Sequence, residues 1–74
     1  MARSTVKTEI TGKVWKLTAS KGQRLSEDEP IVILESMKME IPVPAPVDCT
    51  IIDITVAEGD TVTEGDIIAH IESH

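Results

Sequence analysis

Residues 12–36, GKVWKLTASKGQRLSEDEPIVILES, are answered by residues 49–73, CTIIDITVAEGDTVTEGDIIAHIES, and the constant offset between the two stretches decides the fold. Thr18 falls on Thr55, Gly22 on Gly59, Glu27 on Glu64, Glu35 on Glu72 and Ser36 on Ser73. Apolar positions agree as well: Val14 with Ile51, Leu17 with Ile54, Leu25 with Val62, Ile31 with Ile68 and Leu34 with Ile71. A chain that contains its own copy predicts two similar halves related by a pseudo-two-fold axis. Each half opens on an alternating strand. Trp15, Leu17 and Ala19, with their mates Ile52, Ile54 and Val56, are expected to face the core, and Lys16, Thr18, Asp53 and Thr55 to face outward. A glycine turn follows, Lys21-Gly22-Gln23 or Glu58-Gly59-Asp60, where positive φ is easily accepted, then a short link and a second strand.

Composition points the same way. Seventeen Val and Ile and eight Thr stand against three Leu, which favours strand over helix and predicts an all-β domain. At 74 residues the chain makes one domain, spanning 1–74, and a chain this short buries only about 60% of its unfolded surface. That leaves little free energy for an enclosed catalytic cleft and argues against an independent enzyme. Trp15 is the one aromatic residue and the net charge is −6, so base-stacking platforms are missing and phosphate backbones are repelled; nucleic acid is not expected as a partner. Cys49 has no second cysteine to pair with, no apolar run approaches the length of a membrane span, and Met1-Ala2-Arg3-Ser4 leads into a polar strand. These features set the expectation of a cytoplasmic protein without membrane contact.

Between the two halves lies Glu35-Ser36-Met37-Lys38-Met39-Glu40, preceded by Ile31-Val32-Ile33-Leu34 and followed by Ile41-Pro42-Val43. One short apolar strand runs up to Lys38 and another leaves it, so Lys38 is expected at a hairpin tip spanning 37–39. A lysine there holds its four-carbon stem away from the barrel wall, as suits a side chain that must enter the active sites of other proteins. Met37 and Met39, unbranched and polarizable, suit a surface read by several partners. The competing reading of a Met-Lys-Met alone is a surface lysine beside two core methionines.

Pro42, Pro44 and Pro46 alternate, so the backbone donors they lack would all point to one side of an extended segment. Residues 41–47 are therefore expected to form an edge or crossover segment leaving the hairpin.

With these motifs in hand, the chain resembles the biotinyl domain of biotin carboxyl carrier proteins over roughly residues 5–73. The resemblance rests on Ile33-Leu34-Glu35-Ser36-Met37-Lys38-Met39-Glu40, Val43-Pro44-Ala45-Pro46 and Glu58-Gly59-Asp60-Thr61-Val62. It implies a flattened barrel or sandwich of two four-stranded antiparallel sheets with pseudo-two-fold symmetry. It also implies that a biotin protein ligase joins biotin to Lys38 as an amide, with Met37 and Met39 as recognised flanks and Glu35 as an acidic ligase contact. The carrier would then shuttle a carboxyl group from a biotin carboxylase to a carboxyltransferase, as a non-catalytic subunit of an acyl-CoA carboxylase such as acetyl-CoA carboxylase. The short link between Ala19 and Gly22 leaves no room for the protruding thumb of some carriers, so the thumbless type is expected. Two departures from the family pattern stand out: Asp48-Cys49 where glycine is usual at the second position, and Asp28 at the counterpart of Gly65. Either aspartate tolerates a left-handed conformation, and Cys49 reads as a small buried filler.

Two other functions compete. A lipoyl domain shares the fold but commonly places Asp before and Ala after its lysine; Met37 and Met39 favour biotin. An unmodified structural module, of the kind inserted in membrane-fusion adaptors, sits among coiled-coil heptads, which this chain lacks. Ser36, His70 and His74 form no arrangement suited to nucleophilic catalysis or metal binding, and His70, the mate of Ile33, is expected on a strand.

Overall fold

The computed structural model describes residues 2–74, and every regular element among them is a β-strand: β1 (Arg3–Lys7), β2 (Gly12–Leu17), β3 (Arg24–Leu25), β4 (Pro30–Ser36), β5 (Met39–Pro44), β6 (Cys49–Ile54), β7 (Thr61–Val62) and β8 (Ile67–Ser73). They form two four-stranded sheets, ordered β1-β8-β6-β3 and β5-β4-β2-β7, with all pairings antiparallel. The repeat extends beyond the stretch legible in sequence. β2, β3 and β4 map onto β6, β7 and β8, and β5 maps onto β1, so each sheet takes three strands from one half and a two-residue strand from the other. Among the described strands only β4 and β5 are both consecutive in the chain and paired; every other connection crosses between sheets.

Matched turns carry matched hydrogen bonds. The Gly22 N–H donates to the Ile51 carbonyl at 2.7 Å and the Gly59 N–H to the Val14 carbonyl at 2.8 Å, tying each glycine turn to the central strand of the opposite half. Between β2 and β3 the chain turns tightly, with the Ser20 N–H on Gln23 Oε1 at 3.0 Å, and no thumb protrudes. Asp28 takes the left-handed conformation that Gly65 takes in the other half, with φ of 75° and 93° respectively. Asp48 does not share it. Its carboxylate instead accepts the Glu27 N–H at 2.8 Å, as Thr11 Oγ1 accepts the Glu64 N–H at 3.1 Å in the matching turn.

The core is aliphatic: Ile31, Leu34, Ile51, Ile68, Ile71, Val14 and Val32 are all below 2% exposed. Each such side chain contributes roughly 1.5–3 kcal/mol relative to exposure. Strict alternation along β2 and β6 fails at one point in each strand. Trp15 is 48% exposed and Ile52 half-buried, whereas Val14 and Ile51 are buried at 1%. The pairing register slips between Val14 and Lys16 and between Ile51 and Asp53, so a bulge inserts Trp15 and Ile52 as extra residues and resets the phase. Val14 faces in, Trp15 and Lys16 both face out, and Leu17 and Ala19 return to the interior. Cys49 is buried, as a filler should be. The prolines sit where missing donors do least harm: β5 is the edge of its sheet, and Pro42 and Pro44 are exposed while Val43 and Ala45 between and beyond them are buried.

Candidate functional site

The β4–β5 ladder runs from Ile33 opposite Pro42, through Leu34 with Ile41 and Glu35 with Glu40, to Ser36 with Met39. Two residues remain to turn the chain, Met37 and Lys38, with φ of 52° and 65°. Met39 is thus the first residue of β5, and the tip is shorter than the sequence suggests. Positive φ at both central positions matches the right-handed twist of the flanking strands, and hairpins usually meet the requirement with Asn-Gly. Here two ordinary L-residues occupy it, at a cost of about 1–2 kcal/mol each.

Lys38 is exposed, Met37 is 92% exposed and Met39 is 61% exposed, so neither methionine fills the core. The one ion pair among the described residues joins Arg3 to Glu72 at 3.9 Å, which leaves the Lys38 ammonium without a carboxylate partner. Glu35 is also exposed, on the outer face of the sheet two residues before the turn. The four residues singled out in sequence therefore gather on one hairpin.

Two packing relations at the hairpin were not read from the sequence. Gly12 runs so close under the hairpin base that a Cβ there would lie 2.7 Å from the Glu35 carbonyl oxygen. Glu40 faces Glu35 directly, a like-charge pair, whereas the matching pair in the other half is the ion-paired Arg3 and Glu72. Extending the repeat alignment to Arg3 and Glu40 would have revealed the second.

A groove of about 330 Å³ lies between the edge strands β1 and β5, lined by Val6, Ile10, Ile41, Val43 and Ala45 among others, and Lys38 is not part of it. His70 stands half-buried in β8, paired with Thr5 and Asp53 on the other sheet, and no group of three metal-capable side chains occurs among the described residues. Burial pushes the Cys49 thiol up, and the Asp48 carboxylate pushes it the same way, so this thiol is a poor nucleophile. The arrangement presents one primary amine for another protein to act upon. It fits covalent attachment of a carboxylic acid through an amide at Lys38 Nζ.

Residues 3–71 match the family model described as "Biotin-requiring enzyme". The chain is 35% identical over 69 residues to a biotin/lipoyl attachment protein of Bacillus subtilis, covering 93% of this chain and 94% of that one. It is 37% identical over 65 residues to the biotin carboxyl carrier protein of Streptococcus mutans, covering 88% of this chain and 50% of that protein. The urea carboxylase of Kluyveromyces lactis superposes with a TM-score of 0.91 at 30% identity, over 97% of this chain and 6% of that one.

Proposed function

Because the chain belongs to the family of biotin-requiring enzymes, as a biotin carrier domain of the kind found in biotin-dependent carboxylases, we propose that Lys38 is the residue that holds biotin, as an amide on Nζ. When attached, the biotin ring supplies a nitrogen that carries a carboxyl group. The single observation that supports Lys38 is its place in the one sequence-local hairpin, exposed on a two-residue turn between two exposed methionines. A lysine amine keeps its proton in neutral water, so a biotin protein ligase takes up that proton and presents biotin as its acyl adenylate; the amine displaces AMP as the amide forms. Amide formation removes the ammonium charge and takes the net charge from −6 to −7.

In this reading the domain supplies geometry and its partners the catalysis: a biotin carboxylase loads the carrier and a carboxyltransferase unloads it. Met37 and Met39 are the flanks the ligase reads and Glu35 its acidic contact. The assembly is an acyl-CoA carboxylase, acetyl-CoA carboxylase in the first instance, working in the cytoplasm. The acceptor touches the transferase, so it leaves no mark on this chain. Intact-mass and peptide mapping of the protein from its native host tests the assignment. A biotin increment on Lys38, with carboxylase subunits co-purifying, is expected; a lipoyl increment there, or an unmodified Lys38, would overturn it.

A further inference from the structure

The two sheets present outer faces built on the same backbone, so residues that differ between matched positions are not dictated by the fold. On the β5-β4-β2-β7 sheet the bulge sets Trp15 beside Lys16, with Ile33 opposite Lys16 and Pro42 opposite Ile33. The matched positions on the other sheet hold Ile52, Asp53, His70 and Thr5. Lys13, across the ladder from Glu35, is matched by Thr50. One face thus carries an indole, 48% exposed, flanked by two lysines; its twin carries a half-buried isoleucine and an aspartate.

Nothing in the core requires the tryptophan, since Ile-Asp fills the same bulge in the other half. Nor do the lysines serve an ion pair among the described residues. An indole held out on a rigid strand contributes binding energy when a partner encloses it, at small entropic cost. The face continues along β4 to the turn: Ile33 lies only about 10 Å of strand from Ser36. A protein whose active site closes over Lys38 on this side would cover it.

Resting on the biotin reading of Lys38, we propose that this face, centred on Trp15 and flanked by Lys13 and Lys16, is the docking surface for the ligase that attaches biotin. The ligase surface that fits it is an apolar hollow with carboxylates toward Lys13 and Lys16 and a basic group toward Glu35. In the proposed carboxylase, the catalytic components would meet the carrier within one assembly, where effective concentration is high and weak contacts suffice. The ligase meets it as a separate protein and must draw recognition from the domain surface.

The other half supplies the test. A double variant, Trp15→Ile with Lys16→Asp, copies Ile52-Asp53 and so places in β2 residues that the fold already accepts at that bulge. With the native host's biotin protein ligase, biotin and ATP, its KM as protein substrate is expected to rise about tenfold with kcat retained. The mirrored variant, Ile52→Trp with Asp53→Lys, is expected to stay within about twofold of the parent. Lys16→Glu, at an exposed position, is expected to raise KM about threefold at low salt, with the difference fading at high salt. A KM within about twofold for the first variant, or an equal rise for the mirrored one, overturns the docking surface alone. If the parent chain itself takes up no biotin, the reading of Lys38 falls and the docking proposal with it.

Discussion

The hairpin between β4 and β5 and the open end between β8 and β1 occupy equivalent places in the two halves. At the open end Ser73 pairs with Ala2: the Ser73 N–H donates to the Ala2 carbonyl at 2.8 Å, the Ala2 N–H to Ser73 Oγ at 3.2 Å, and Glu72 is held by Arg3. At the hairpin, two left-handed residues, two exposed methionines and two facing glutamates stand in the same positions. One end follows the rules of a comfortable sheet and the other breaks three of them. The two-residue turn itself demands left-handed backbone, so what the fold leaves unexplained at the hairpin is the choice of Met37 and Lys38 for that turn, the exposed Met39 and the facing glutamates.

The largest effect that sharpens this contrast is expected from Lys38→Arg. The modification increment should vanish from the intact mass, with an unfolding midpoint like that of the parent, because the side chain bears on no core contact. Survival of the increment would place the modified amine elsewhere. Gly12→Ala should destabilise by about 1–3 kcal/mol in urea titration, since its Cβ presses on rigid backbone at the hairpin base.

Met37→Gly should go the other way, stabilising by about 0.5–1 kcal/mol as left-handed strain is relieved and part of the gain is offset by glycine's entropy. Modification should slow in the same variant. Glu40→Arg, which copies the Arg3–Glu72 arrangement, should add about 0.3–1 kcal/mol at low salt, because the pair is exposed. Loss of stability in either variant would remove the idea that the tip is strained for function.

The smallest effect concerns Cys49. Its thiol stays protonated in the fold to a higher pH than in the unfolded chain, where a cysteine is half-ionised at about pH 8.5. The folded state then binds more protons, so stability is flat below that pH and falls as pH rises past it. Cys49→Ala should abolish the slope whatever its effect on the midpoint, as followed by urea unfolding between pH 7 and about 10.

Much of this architecture could be read from residues alone. The repeat gave the symmetry, alternating prolines gave the edge strand, and apolar runs on both sides of Lys38 gave the hairpin. Trp15 and Ile52 misled because a period of two carries no information about an inserted residue, and a bulge reverses the phase of everything before it. The match of β1 with β5 was hidden because edge strands exposed to solvent share a backbone path but little side-chain pattern; of their matched positions Val6 and Val43 alone are both buried. The contrast of Glu40 with its counterpart Arg3 escaped for the same reason.

The contact between Ser73 and Ala2 gives the fold the topology of a ring opened at one point. Residues 39–48 run from the tip to Asp48, whose carbonyl accepts the His74 N–H at 3.0 Å, which sets that opening at the far pole from Lys38. A circular permutant follows: a short linker from His74 back to the start of β1, with the chain opened between Met37 and Lys38, should preserve cooperative unfolding while making Lys38 the first residue.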